Sequence, residues 1–316
     1  MHEDRPALAA SLMVGSLCLL ALQDSLVKLA SADVSLWQFQ TMRAGFNLIM
    51  LLVLARFIWG SEPIRPKRLW TVVLRSTFLV GAMICFFGAI PFLSLSQVAA
   101  GLYVFPLFVT VLSALVLRER VGPRRVMAVL AGFAGTLLIL KPGSDSFTWA
   151  SLAPVMAGLF YAATVLTTRK LCREERPAML ALGVSVAFIL VGGTGVVVLE
   201  AVRPERLASD LPYLFEGWKP LSWAIAGLIL VCSMLNLTAN IGLAKAYQSA
   251  ESSWLAPFDY SYLIFATFWG VVMWADVPDA ASFIGMAMIA AAGCYVAWRE
   301  RLEKQLETAE LNRALR

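Results

Sequence analysis

A chain of 316 residues with 59% hydrophobic and only 15% charged residues departs from soluble domains, in which about a quarter of residues are charged. A mean hydropathy of +0.74 excludes a protein folded around one or two cores beneath a polar surface. The net charge of +5 calls for no nucleic-acid partner, because the basic residues fall at joints between apolar runs, where membrane topology accounts for them.

Taken in chain order, apolar runs of about 20 residues recur, each long enough to cross about 30 Å of hydrocarbon as a helix. Ten spans are predicted: 8–30, 35–57, 70–93, 96–117, 123–141, 149–169, 178–200, 221–246, 252–275 and 280–298. Proline and glycine mark the joints, as at Glu62-Pro63, Gly122-Pro123, Pro142-Gly143 and Val277-Pro278. The first run starts after MHEDRP and continues past Asp24 without a cleavage site, so it reads as a retained helix rather than a signal peptide. The longest joint, about 201–220, holds Pro204, Pro212 and Pro220 and reads as a loop. After Trp298, the tail RERLEKQLETAELNRALR mixes both signs and reads as a short helix or frayed end.

Lys and Arg set the orientation. The joints on the side of the N-terminus carry basic clusters such as Arg65-Pro66-Lys67-Arg68, Arg118 to Arg125, and Arg169 to Arg176. The opposite side has only Lys141, Arg203, Arg206 and Lys219. Both termini are therefore expected in the cytoplasm, with the chain in the inner membrane.

Two stretches repeat one another. LSQVAAGLYVFPLFVTVLSALVLRERVGPRRVMAVLAGFAGTLLIL begins at Leu95, and AYQSAESSWLAPFDYSYLIFATFWGVVMWADVPDAASFIGMAMIAAAGCYV begins at Ala246. Gln97 and Pro106 have the same spacing as Gln248 and Pro257, and Glu119 and Asp276 each close a span. A five-span unit is odd-numbered, so its second copy enters the membrane from the other side. Such a pair can adopt two mirror-related packings of similar energy, the basis of alternating access. The expected fold class is an all-α integral membrane protein of ten transmembrane helices in two inverted five-helix repeats, 1–145 and 146–298, with a tail at 299–316.

On these residues the chain resembles ten-helix transporters of the drug/metabolite transporter superfamily, of the EamA type. FPLFVTVLSALVLRERVGPRRVMAVLAGFAGTLLIL, the run APFDY to GVVMWADVPDAASFIGMAMIAAAGCYVAWRE, and Arg43 carry the likeness. Asp276 departs from it, standing where Glu is usual. The resemblance implies two inverted repeats around a central cavity that moves small organic solutes. Within the superfamily the chain resembles members handling heterocyclic vitamins or S-adenosylmethionine, without singling out one solute.

Charges inside spans are costly and face a bundle interior or a wet path. At 1.5 Å per residue, Asp24 lies about 9 Å and Arg43 about 12 Å below the outer boundary. Lys28 shares a helical face with Asp24 at i, i+4. Arg75 and Asp259 lie about 8 and 10 Å in from the cytoplasmic side. Asp24, Lys28 and Arg43 are thus expected at an outer gate, and Arg75 with Asp259 at an inner one. Snorkelling is the bland alternative for Lys28 and Arg75. Asn236 and Asn240, at i and i+4, are expected to line the cavity with Tyr103, Trp254, Asp259, Tyr260 and Tyr262, and Gln97, Gln248 and Glu251 flank the joints. Pro106 and Pro257 are expected to kink their helices. Gly132, Gly135, Gly192, Gly193, Gly195, Gly285 and Gly293 are read as close helix contacts.

A competing class is an intramembrane enzyme. The only histidine is His2, which removes His-based triads and metal sites, and the five cysteines form no CxxC pair. No GxxxxGK[ST] occurs, so nucleotide hydrolysis has no local support. No cofactor is expected. The expected partners are a small organic solute and the lipid bilayer, with the chain a monomer or homodimer.

Overall fold

The computed structural model describes residues 6–58, 65–117, 123–142, 147–249 and 252–314, and these form helices without strands. In chain order they are α1 (Pro6–Ala30), α2 (Leu36–Ile58), α3 (Leu69–Ala89), α4 (Leu95–Leu102), α5 (Phe105–Leu117), α6 (Pro123–Leu140) and α7 (Ala153–Leu171). There follow α8 (Pro177–Val202), α9 (Glu205–Asp210), α10 (Pro212–Phe215), α11 (Trp223–Ser249), α12 (Ser252–Asp259), α13 (Ser261–Trp274) and α14 (Ala280–Ala314).

The distribution of polarity is inverted relative to a soluble protein. Leu115, Val197 and Ile264 are about seven-tenths exposed on the outside, while Gln23, Asp24, Gln38, Gln40 and Arg43 are buried. A wide apolar exterior demands a non-aqueous solvent. Among the described residues, seven helical stretches are long and apolar enough to cross a membrane: Ala7–Ala30, Leu69–Ala89, Leu95–Val116, Ala150–Leu171, Pro177–Val202, Trp223–Ala246 and Ala280–Arg299. The protein is a multi-pass membrane protein.

Three of the ten expected spans are not among these seven, each for a physical reason. The second forms the unbroken helix α2, whose buried amides and Arg43 lower its hydropathy. The fifth is apolar only over Val126–Leu140. The ninth is cut in two at Tyr260, between α12 and α13. The tail is helical, of the two forms expected for it, as α14 runs on to Ala314.

Local chemistry explains several boundaries. Ser94 and Gln97 form a capping box at α4, with Gln97 N donating to Ser94 Oγ (3.2 Å) and Ser94 N to Gln97 Oε1 (3.1 Å). Gln97 is therefore committed to the helix start rather than to a cavity. Pro154 and Pro177 sit in the first turns of α7 and α8, where a missing N–H costs nothing. α13 stops at Ala275, which is left-handed at φ 53, and Asp276 N then donates to Gly270 O (3.2 Å). Asp279 caps α14, accepting from Ser282 N (3.1 Å), and Lys141 bonds its other oxygen. The Lys141 and Ser282 bonds hold the Asp279 carboxyl at about 2, so it is ionised at every physiological pH.

The helices run between two ends. One carries Asp276, Lys28 and the segment 203–222. The other carries Glu175, whose two oxygens accept from the backbone N–H groups of Lys67 (3.1 Å) and Arg68 (2.7 Å). α1 packs on α11 and α13, α3 on α7 and α8, α2 on α8 and α11, α7 also on α4 and α5, and α6 on α14. α6 and α14 touch backbone to backbone: a Cβ built on Gly285 would stand 2.5 Å from Gly135 O. Of the seven glycines read as contacts, Gly193 meets nothing within 4 Å.

Candidate functional site

Four helices meet around a polar chain that is buried at Tyr262, Asp24 and Gln23 and half-buried at Asn236 and Asn47. Tyr262 of α13 donates its hydroxyl to Asp24 Oδ2 on α1, and Gln23 Nε2 donates to Asp24 Oδ1 at 2.9 Å. Gln23 Oε1 accepts from Asn236 Nδ2 of α11 at 2.9 Å, and Asn236 Oδ1 accepts from Asn47 Nδ2 of α2 at 3.4 Å. Each such bond to a buried ionised group contributes about 1.5–3 kcal/mol, and each donor left unpaired would cost a similar amount.

Arg43 projects from α2 into the same region. Its Nε donates to Gln40 Oε1 (3.2 Å), and its guanidinium lies 5.0 Å from the Phe87 ring centre, 5.5 Å from Phe188 and 5.9 Å from Phe39. Three aromatic faces offset part of the cost of removing this cation from water. Asp24 and Arg43 are electrostatic neighbours, but no ion pair joins them among the described residues. Gln40 Nε2 and Asn47 Oδ1 are buried with no hydrogen-bond partner among those residues, so this stretch of α2 has a donor and an acceptor to offer.

An aromatic row leads away from Asp24. Tyr103, at the break between α4 and α5, stacks on Tyr262 (5.1 Å, 11° between planes) and meets Tyr260 edge-on at 5.8 Å. Phe105 lies 6.1 Å from Tyr103 and 4.8 Å from Tyr161 of α7. Tyr260 fits only because its hydroxyl lies over Gly293. The Tyr161 hydroxyl in turn is within electrostatic reach of both Asp259 and Arg75.

Several expected pairings are corrected by this geometry. Lys28 does not pair with Asp24. Its Nζ reaches Asp276 (3.0 Å) and Leu93 O (3.1 Å) and stands 5.1 Å over Trp274, because it is one turn nearer the helix end and the chain folds an acid beside it. Arg75 does not pair with Asp259. Its Nε and Nη1 donate to Thr168 Oγ1 and Leu180 O, both at 3.4 Å, and Asp259 has no hydrogen-bond or ion-pair partner among the described residues. Asn240 is exposed and turns back onto Asn236 O (2.7 Å), apart from the chain that Asn236 joins. The break near Pro106 falls before it, at Tyr103–Val104, and the break near Pro257 falls after it, at Tyr260. The side chains of Trp254 and Gln248, and all of Glu251, lie outside the described residues.

Sequence reasoning missed Gln23, Gln40 and Asn47. Gln40, Arg43 and Asn47 stand at i, i+3 and i+7 on α2, one polar stripe in an apolar helix, and that spacing was the available signal. Among the described residues no three His, Cys, Asp or Glu side chains come together as a metal site.

The Lys28–Asp276 contact is half-buried, with side-chain exposures of 13% and 34%. After discounting for solvent screening, a double-mutant cycle of Lys28→Met and Asp276→Asn is expected to read a coupling of about 1 kcal/mol in thermal unfolding. A coupling of zero would show that the contact holds nothing.

Residues 7–141 match the EamA-like transporter family. The chain is 28% identical over 269 residues to a riboflavin transporter of Rhizobium johnstonii, covering 84% of this chain and 80% of that one. It is 30% identical over 203 residues to a riboflavin transporter of Vibrio cholerae serotype O1, covering 64% and 62%. A solved crystal structure shares the fold at 18% identity and a TM-score of 0.58, over 92% of this chain and 98% of that one. Residues 7–141 thus carry an EamA-like domain, and along most of its length the chain is similar to transporters of small metabolites.

Proposed function

We propose that this protein carries a flat heterocyclic metabolite of the riboflavin kind across the inner membrane, by alternating access between two inverted repeats, 1–145 and 146–298. The observation that carries this reading is the polar chain Tyr262–Asp24–Gln23–Asn236–Asn47 with Arg43 beside it, buried in a bundle whose exterior is apolar. A static bundle has no use for so much buried polarity. The Tyr103–Tyr262 stack beside Asp24 suits a planar ring, since aromatic faces bind one another offset and parallel. Arg43, Asn236 and Asp259 with Tyr103, Tyr260 and Tyr262 line the solute's route, and Asp24 closes it toward α13.

The packing supports the repeat. Exchanging α1, α2, α3, α4–α5 and α6 with α7, α8, α11, α12–α13 and α14 maps the main pairs onto one another. α1 on α11 becomes α7 on α3, α1 on α13 becomes α7 on α5, and α2 on α11 becomes α8 on α3. The pairs α2–α8 and α6–α14 map onto themselves. In this reading α4–α5 and α12–α13 are each one broken span, and ten spans result. Lys67, Arg68, Arg169, Lys170, Arg173 and Arg176 cluster at the Glu175 end, which favours that end, and both termini, in the cytoplasm.

The test is flux into proteoliposomes of purified protein, with labelled riboflavin competed by amino acids, other vitamins, S-adenosylmethionine and quaternary amines. Saturable riboflavin uptake, displaced by flavins and not by amino acids, is expected. Uptake of another solute in the panel with none of riboflavin would contradict the assignment.

A further inference from the structure

The joint between α8 and α11 is twenty residues long, 203–222, whereas its counterpart under the exchange of halves, between α2 and α3, is ten, 59–68. The excess lies at the Asp276 end only, and it holds α9 and α10. α9 buries no residue, and α10 buries one, Tyr213, which is 3% exposed. The Tyr213 ring lies in the apolar core with Phe39 and Phe87 and is within electrostatic reach of Arg43. Its hydroxyl has no hydrogen-bond partner among the described residues, so the ring and not the hydroxyl holds it there.

Around this one plug the strap is tied to the start of α2. Ser35 Oγ donates to Gly217 O (2.6 Å), and Trp37 Nε1 donates to Leu214 O (2.8 Å). Gln38, wholly buried, spends both ends of its amide on a single residue: Nε2 donates to Lys219 O and Oε1 accepts from Lys219 N, both at 3.0 Å. Leu214 fills the notch left by Gly88. The ties therefore bind backbone, come from the first turn of the helix that bears Arg43, and can part without any buried charge losing its partner.

We propose that residues 203–220 are the gate of the solute route at the Asp276 end, with Tyr213 the residue that seals it above Arg43. The seal is an aromatic plug on a strap, held by Gln38 and Trp37, that lifts to admit the solute. The proposal rests on the reading of the bundle as a transporter but not on which solute it carries. Its outer placement rests on the proposed orientation, and the two can fail separately.

Native Cys232 reports on it. Its thiol is 0% exposed on α11 and is an electrostatic neighbour of Arg43 and Asp24. Membrane-impermeant methanethiosulfonate is applied to right-side-out and inside-out vesicles of the full chain, and modification of Cys232 is read by mass spectrometry. Modification follows the population of the open state when reclosing is fast, and Tyr213→Ala and Gln38→Ala are each expected to speed it about tenfold or more from the outer face. Tyr213→Phe should match the wild type. Cys172, buried near the Glu175 end against Thr71 O, should stay unmodified throughout. A rise seen only in inside-out vesicles upholds the gate and overturns the orientation. Unchanged Cys232 rates in both variants, or an equal rise at Cys172, would overturn the gate.

Discussion

Asp24→Ala is expected to abolish solute flux and to lower stability by about 2–4 kcal/mol, the cost of leaving two buried donors unpaired. The donors are the Tyr262 hydroxyl and the Gln23 amide, which both point at the Asp24 carboxylate. The loss propagates, because Gln23 also anchors Asn236 and, through it, Asn47. Arg43 would at the same time lose its nearest anion, and a buried charge without compensation is a heavy cost. Asp24→Asn keeps an acceptor for Tyr262 but removes the charge and turns an amide NH2 toward the Gln23 Nε2 donor. Its stability should fall less, while initial uptake should still drop about a hundredfold, equivalent to ~2.7 kcal/mol of barrier. Thermal unfolding and initial uptake rates, measured on both variants, separate the two roles. If Asp24→Ala unfolded and transported like the wild type, the acid would lie off the route.

The second large effect is mechanical. Gly285→Leu is expected to prevent assembly of the bundle, and Gly285→Ala to destabilise it by about 1–3 kcal/mol, as overpacking does elsewhere. A Cβ on Gly285 would stand 2.5 Å from Gly135 O and 2.7 Å from Ile139 Cγ1, and one on Gly135 would stand 2.7 Å from Gly285 O. Backbone cannot rotate aside as a side chain can, so α6 and α14 must separate. In the proposed pair of inverted repeats that interface maps onto itself, so its loss would strike both halves together. Gly193→Ala is the control: it meets nothing within 4 Å and gains helix propensity, so it should be neutral or stabilising by up to about 1 kcal/mol. Melting temperatures of the two alanine variants in detergent, moving in opposite directions, would bear this out. Equal shifts would contradict it.

Most of the helical layout was legible because bilayer thickness dictates the length of apolar runs and Pro and Gly punctuate their joints. α2 shows where that signal thins. Its polar stripe faces inward to α1 and α11, so the helix that matters most to the site reads as the least membrane-like. The expensive residues Asp24, Arg43 and Asp259 stood out for the same reason that makes them informative: a charge in hydrocarbon needs a cause. Their partners did not stand out. Equal depth placed Arg75 beside Asp259, yet depth is one coordinate of three, and Arg75 turns its donors to Thr168 and Leu180 instead. Helical spacing joined Lys28 to Asp24, but a tertiary acid, Asp276, and the Trp274 ring outcompeted an i, i+4 neighbour. Uncharged Gln23, Gln40 and Asn47 carry no comparable penalty, so only their spacing could have marked them. Tyr213 sat in a stretch read as a plain loop, and no local pattern announces that a loop residue will be drawn into a core.

Counterflow tests the account most directly. Proteoliposomes loaded with unlabelled riboflavin are diluted into a trace of labelled riboflavin with no ion gradient. A carrier whose route opens alternately to the two sides accumulates label transiently above its equilibrium level, and the overshoot should vanish in Asp24→Asn. Riboflavin entry that rises to equilibrium without overshoot would mean a continuous channel, and the alternating pair of halves around Asp24 and Arg43 would be the wrong description.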